Sequence, residues 1–378
     1  MNLPLLRTVG VSITLTIFLA ALVATGCGQG ESGGGSASDG GSASDGGSAS
    51  SKGSASGKGS ASGEAFAPGA ESLVIYSGRN EELVGPIIER FEEESGIDVE
   101  VRYGDTAELA ATLLEEGENS PADVFFAQDA GALGAVSDEG LLRPLPEDAL
   151  NQVEERFRDP AGRWVGVSGR ARVVAYNTEA LSEEDLPSSI LEFTDPEWEG
   201  RIGWAPTNGS FQAFVTALRV IEGEEAARDW LEGIQTNNPR RYENNLAILE
   251  GVASGEVEVG FVNHYYLFQL REERGEDVEA QNYYPENGDP GALVNVAGIG
   301  ILNSADNGAA AEEFLNFMLS AEAQQYFADE TFEYPLIQGV PINEELTPLS
   351  EIQTPNVDLS DLDDLQGTLE LLRETGVL

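Results

Sequence analysis

The sequence predicts an α/β protein built of two lobes that are joined by extended crossover strands, with largely parallel sheets. Three observations predict it. Short β-branched or aromatic runs alternate with helical patterns from about residue 71 onward. Residues 164–177, Trp-Val-Gly-Val-Ser-Gly-Arg-Ala-Arg-Val-Val-Ala-Tyr-Asn, form an extended run too long for a strand of one lobe. Residues 293–302 form a second such run, a natural return crossing.

The elements follow in order. A strand at 73–77 precedes a helix over 80–95 with Leu83, Ile87, Ile88 and Phe91 on one face. A strand at 99–103, a helix at 107–116 and a strand at 123–126 come next. Beyond the first crossover lie a strand at 201–205, helices at 211–222, 225–234 and 246–254, and a buried-looking strand at 257–262. Helices within 308–332 and a last one at 362–375 finish the chain. This order assigns 71–172 plus 295–346 to an N-terminal lobe and 173–294 plus 347–378 to a C-terminal lobe. Two hinged lobes place a ligand in the cleft between them, and closure buries it. The same pattern also fits any two-lobe α/β enzyme.

The first 26 residues read as a secretory signal. A short charged start with Arg7 leads into an apolar run over 9–23, too short for a membrane span, and then Ala24-Thr25-Gly26-Cys27. This pattern resembles a lipoprotein signal, with Cys27 the lipidated first residue of the mature chain. Ala24 departs from the leucine more usual there, and an ordinary cleaved signal with an incidental cysteine is the other reading. Both predict an extracytoplasmic protein, and one cysteine allows no internal disulfide. Residues 27–70 repeat Gly-Ser-Ala-Ser, a composition unable to bury a core. A flexible tether is expected, with a reach on the order of 35 Å.

Charge is the second outlying property. The chain carries 67 acidic and 20 basic residues, a formal net charge of −47, and both its lysines, Lys52 and Lys58, fall in the tether. A carboxylate-rich domain whose cations are all arginine is expected of adaptation to high salt, where a Debye length of about 3 Å at 1 M relieves self-repulsion. The same charge excludes nucleic acid and anionic membrane surfaces as partners. No calcium loop of the Asp-x-Asp-x-Asp-Gly type occurs.

The candidate chemistry lies in Asn263-His264-Tyr265-Tyr266, where two tyrosines follow a strand and open an amphipathic helix. Phenolate oxygens are hard donors that suit a hard, highly charged cation such as ferric iron, which must itself displace the phenolic proton. Adjacent residues at a helix start diverge by about 100°, so two rings can flank one ion. Paired aromatics at a strand-helix junction also serve as core or hinge packing.

Seven strings, in order, extend the reading: Val74-Ile75-Tyr76-Ser77-Gly78-Arg79, Ser120-Pro121-Ala122-Asp123-Val124-Phe125, Ser168-Gly169-Arg170-Ala171-Arg172-Val173-Val174-Ala175-Tyr176, Arg201-Ile202-Gly203-Trp204-Ala205-Pro206-Thr207-Asn208-Gly209, the Asn263 to Tyr266 string, Asp289-Pro290-Gly291-Ala292-Leu293 and Glu333-Tyr334-Pro335-Leu336. With them the chain resembles the periplasmic ferric-ion-binding proteins of iron ABC transporters, within the type II periplasmic-binding-protein-like fold. The resemblance covers about residues 73–378.

That resemblance implies Tyr265 and Tyr266 as iron ligands and Tyr176, on the crossover, as a third; hinge packing is the other reading of Tyr176. Where some family members place a histidine and a glutamate on the metal, this chain has Asn80 and Gln128, so that part of the pattern is absent. A synergistic anion, carbonate or phosphate, is implied at Arg79 and Arg172, with Asn208-Gly209-Ser210 offering helix N–H groups and Asn245 and Asn263 in support. Asn208 also reads as an N-cap and Asn245 as a turn former. His264, the only histidine, reads either as a structural residue or as part of the cleft with Asn80 and Gln128.

The implied function is capture of ferric iron by a lipid-anchored monomer and delivery to an ABC permease and ATPase. The alternative is a binding protein for a polyamine, sulfate or phosphonate, since the fold hosts all of these. No Ser-His-Asp set, His-Glu-x-x-His or nucleophile elbow supports an enzyme.

Overall fold

The structure, a computed structural model, describes residues 72–275 and 277–378, all within one compact unit, Ala65–Leu378. The expected signal, Cys27 and tether lie outside the described residues. Strand β1 (Ser72–Ser77), helix α1 (Glu81–Ser95), β2 (Asp98–Tyr103), α2 (Thr106–Glu116), β3 (Val124–Ala127) and α3 (Ala130–Asp138) open the first lobe. A four-residue helix, α4 (Glu147–Leu150), precedes β4 (Trp164–Asn177). The second lobe contains β5 (Ile202–Trp204), α5 (Gly209–Glu222), α6 (Glu224–Thr236), β6 (Arg240–Arg241), α7 (Asn245–Ala253), β7 (Val259–Asn263), α8 (Tyr265–Arg274) and β8 (Ala280–Tyr283). Then β9 (Val294–Ile301) returns, followed by α9 (Gly308–Met318), α10 (Ala321–Glu330), β10 (Tyr334–Pro335) and α11 (Leu365–Glu374).

One sheet runs through both lobes in the order β2-β1-β3-β9-β4-β7-β5-β6. Pairs within each lobe, β1 with β2 and β3 and β5 with β6 and β7, are parallel, as βαβ connections require. The crossovers run antiparallel to their neighbours, which makes the sheet mixed where largely parallel sheets were expected. All fourteen residues of β4 are buried. Its first half, through Ala171, pairs with β9, and from Arg172 it pairs with β7, so the strand changes lobe at Arg172.

Local capping explains where helices start. Asn80 Oδ1 accepts from Glu82 N at the head of α1, and Gly96 at φ 71 stops that helix in the left-handed region. Val84, Ile87, Ile88 and Phe91 form the buried face of α1, with Leu83 at its edge. The first lobe's core gathers around Leu73, Phe125, Phe126 and Phe314, with Phe91 edge-on to Phe314 at 5.2 Å. In the second lobe β4 separates two clusters, Val174 and Tyr176 facing one and Val173 and Ala175 the other.

The end of the chain was expected to belong wholly to the second lobe. Instead Ile352, Leu359 and Leu362 pack in the first cluster, while Leu371, Leu372 and Val377 pack in the second. The segment closes against α3 where Gly131 and Gly134 leave room for the carbonyls of Leu362 and Ser360.

Candidate functional site

At the point where β4 changes lobe, three polar strand and helix ends converge on Arg172. Its Nη1 donates to Asn245 Oδ1 and Asn263 Oδ1 at 3.3 Å each and to Ser210 Oγ at 3.4 Å. Its Nη2 donates to the Phe261 carbonyl at 2.7 Å, and the guanidinium lies over the Phe214 ring. Asn208 caps α5, its Oδ1 accepting from Ser210 N and from Asn245 Nδ2. Asn245 is the first residue of α7, whose cap is Asn244, so its buried amide is free to bridge Asn208 and Arg172. Among the described residues no carboxylate pairs with Arg172. Burial pulls its pKa down to about 9, with the phenols of Tyr266 and Tyr265 opposing the fall.

Arg79 was expected to share this anion role; in the structure its Nη2 instead donates to both oxygens of Glu333, at 2.7 and 2.9 Å, with both side chains at most 1 % exposed. Ser168 Oγ donates to the same carboxylate at 2.7 Å. Among the described residues, a further buried arginine without an ion pair is Arg170, which was not expected as a site residue. It is buried and its Nε has no partner. Burial lowers its pKa and the neighbouring Arg79 adds to the fall, while Tyr265, Glu333 and Asp129 oppose it. The signal was present in the spacing, since Ser168, Arg170 and Arg172 alternate along one strand. Asp129, half-buried and near enough to Arg170 to feel its charge, caps α3 by accepting from Ala132 N.

The two tyrosines open α8 directly after Asn263. Their rings face each other, centroids 4.3 Å apart and 30° between planes, rather than diverging. Tyr265 is buried and Tyr266 is partly exposed, and neither phenol oxygen has a hydrogen-bond partner among the described residues. Burial raises the Tyr265 pKa well above its usual value and Tyr266 adds to it, against the opposing charges of Arg170 and Arg79. Arg170 and Arg172 are therefore each near enough to Tyr265 to feel its charge.

Two expected site residues lie elsewhere. Tyr176 pairs with Val259 at the far end of β7, whereas Arg172 pairs with Asn263. At about 3.3 Å per residue its Cα lies roughly 13 Å from Arg172 along β4. Its ring packs in a second-lobe core cluster and burial raises its pKa, with Glu183 adding to it. Of its two readings, packing is the one the structure supports. His264 is not a cleft residue: it is fully buried, its Nδ1 accepting from Ala171 N at 3.1 Å and its Nε2 facing the Phe332 carbonyl at 2.9 Å. Asn80 caps α1 at the rim of a cleft of about 740 Å3, and Gln128 lines both that cleft and a pocket of about 20 Å3 bounded by Arg170, Arg172, Ser210 and Asn263. The large cleft runs between the loops ending β1 to β3, the face of α5 and the C-terminal segment, and the tyrosines do not line it. The small pocket brings together Arg170 and Arg172, each with an unpaired Nε. Among the described residues no three His, Cys, Asp or Glu side chains converge as a metal site.

Residues 119–359 match the family model described as bacterial extracellular solute-binding protein. The chain belongs to this family. Solute-binding proteins of this kind bind and release; they are not enzymes. The chain is 35% identical over 314 residues to the Fe(3+)-binding periplasmic protein of Serratia marcescens, covering 82% of this chain and 92% of that one. It is 34% identical over 313 residues to the major ferric iron-binding protein of Neisseria meningitidis serogroup B, covering 82% and 94%. Among solved structures, iron-bound HitA from Pseudomonas aeruginosa superposes with a TM-score of 0.76 at 36% identity, over 81% of this chain and 99% of that one. A Trichodesmium protein in complex with iron and citrate ligands gives 0.71 at 29% identity, over 81% and 99%. The two-lobed type II periplasmic-binding-protein fold expected from the crossovers is the fold of these relatives.

Proposed function

We propose that this solute-binding protein captures ferric iron between its lobes through the phenolates of Tyr265 and Tyr266, with a small anion held by Arg170 and Arg172. The observation that carries the reading is the juxtaposition of two adjacent phenols with two buried guanidiniums that have no carboxylate partner. Ferric iron with two phenolates carries +1 and two guanidiniums add +2, a local charge of +3 that favours a small multivalent anion: planar carbonate lowers it to +1, and tetrahedral phosphate can offset it further. Asn263, Asn245 and the N–H groups at Gly209 and Ser210 would support that anion. With Tyr176 removed from the ligand set, an octahedral ion would take its remaining donors from the anion, water and polar side chains such as Gln128.

A polyamine site would need carboxylates where these arginines stand, and a sulfate or phosphonate site would have no use for the phenols. The test is a titration of purified protein with a ferric salt, read by the visible phenolate-to-iron charge-transfer band. Tyr265→Phe and Tyr266→Phe should each weaken the band and together abolish it. An unchanged band and affinity in the double variant would move the site elsewhere.

The 740 Å3 cleft beside the site favours a second form of cargo, ferric iron with a small chelator still attached. Ferric citrate and a ferric salt with bicarbonate, compared on one sample, separate the two: retention of labelled citrate in the bound state supports the chelate.

Delivery would pass to an ABC permease and ATPase, with Cys27 carrying a lipid anchor and the protein acting as an extracytoplasmic monomer. Cys27→Ser should release the chain from membranes, and persistent tight association would show a different anchor.

A further inference from the structure

We propose that His264 is a positioning residue: it holds Tyr265 against the first lobe without touching the cargo. The inference rests on the ferric reading above. Helix α8 begins at Tyr265, so whatever fixes the preceding residue fixes the path of the first phenol. Four hydrogen bonds do so. The His264 amide donates to the Ala171 carbonyl at 3.0 Å, and Nδ1 accepts from the Ala171 amide at 3.1 Å. Nε2 meets the Phe332 carbonyl at 2.9 Å, and the His264 carbonyl accepts from Asn282 Nδ2 at 2.8 Å. An amide can only donate and a carbonyl only accept, so the proton sits on Nε2 and the ring is neutral.

The ring also lies flat on Tyr334, centroids 4.5 Å apart at 16°, and meets the edge of Tyr265 at 5.7 Å and 88°. Its bond to Phe332 reaches a backbone under strain. Phe332 sits at φ 56, a left-handed conformation uncommon for a bulky side chain. That turn immediately precedes Glu333, whose carboxylate holds Arg79. One imidazole therefore joins the tyrosine helix, the crossover strand at the residue before Arg172, and the turn that presents Glu333. A packing aromatic would supply the stack alone. It would leave the Ala171 amide and the Phe332 carbonyl buried without a partner.

Residues that orient a metal ligand without touching the ion commonly shift affinity by about 10–100-fold when lost. Three variants divide the contacts. His264→Phe keeps ring volume and the stack but removes both polar bonds, His264→Asn keeps an acceptor near Nδ1, and His264→Gln keeps a donor near Nε2. The expected result is a ferric affinity about 10–100-fold weaker in His264→Phe with a displaced charge-transfer band, and intermediate values in the other two. A near-ultraviolet titration of the apo-protein should show the Tyr265 phenol altered as well. If His264→Phe does not fold, the two polar variants carry the test. A melting temperature that drops while affinity, band and phenol titration of the folded protein stay at wild-type values overturns the inference and leaves a structural histidine. A wild-type protein with no phenolate band overturns the ferric reading and this inference together.

Discussion

Glu333 and Arg79 show how much a single residue decides here. Removal of one member of a buried ion pair leaves an uncompensated charge, so Glu333→Gln should destabilise the apo-protein by about 3–5 kcal/mol in denaturant unfolding. Arg170 and Arg172 are buried without that compensation, and a bound anion is what would relieve them. Adding bicarbonate or phosphate should therefore raise the melting temperature of wild-type protein, and Arg172→Ala should abolish the gain. His264 sets the acid limit. Its pKa in the folded protein is held down to about 4 by burial, against an ordinary value near 6.5. The unfolded chain binds the extra proton between those values, so stability is complete above about pH 6.5 and falls toward pH 4, by on the order of 3 kcal/mol. A flat melting temperature over that window would show that protonation does not open this joint. At this scale the sequence pointed to Arg172, Asn208, Asn245 and Asn263, and the structure joins those four side chains in one hydrogen-bonded cluster. Tyr176 was implied as a third ligand by the resemblance, with packing as its other reading, and a string match along β4 does not reveal that its ring packs in a second-lobe core cluster four residues beyond Arg172. Glu333 was not assigned as the partner of Arg79 because the two are 254 residues apart and no local pattern announces such a pair.

At the scale of elements, the close seam between α3 and the C-terminal segment makes a sharp prediction. A Cβ on Gly131 would stand 2.1 Å from the Leu362 carbonyl, a backbone atom with little freedom to yield. Gly131→Ala should cost about 1–3 kcal/mol and loosen α11, read by thermal unfolding and by proteolysis of the C-terminus. Gly85, inside α1, meets nothing closer than 3.7 Å, so Gly85→Ala should instead stabilise by about 0.5–1 kcal/mol. Equal effects of the two would show that the seam is not tight. The elements themselves were readable because their periods differ cleanly: the run from Trp164 to Asn177 alternates without a helical stripe, and α1 carries one. What was not readable was pairing direction. Strand β9 runs antiparallel to β3 and β4, and nothing in a strand's own composition distinguishes that from a parallel neighbour. The destination of the last segment was equally hidden, because Leu359 and Leu362 are as apolar as Leu371 and Leu372.

For the whole molecule, a net charge of −47 means that folding gathers mutually repelling carboxylates. The apo-protein should melt at a higher temperature in molar potassium chloride than in millimolar salt, and a flat profile would count against salt adaptation. The interleaved path of the chain has a consequence in time. Neither lobe is contiguous: the first begins with β1 but borrows β9, which pairs Gly300 with Trp164, and the cleft's last wall comes from residues near the C-terminus. As the chain emerges from its N-terminal end, the first lobe must wait with β3 and the early half of β4 short of a neighbour until the final quarter has arrived. Pairings across such sequence distances form slowly and together. A nascent chain halted before β9 should therefore keep its first lobe protease-sensitive.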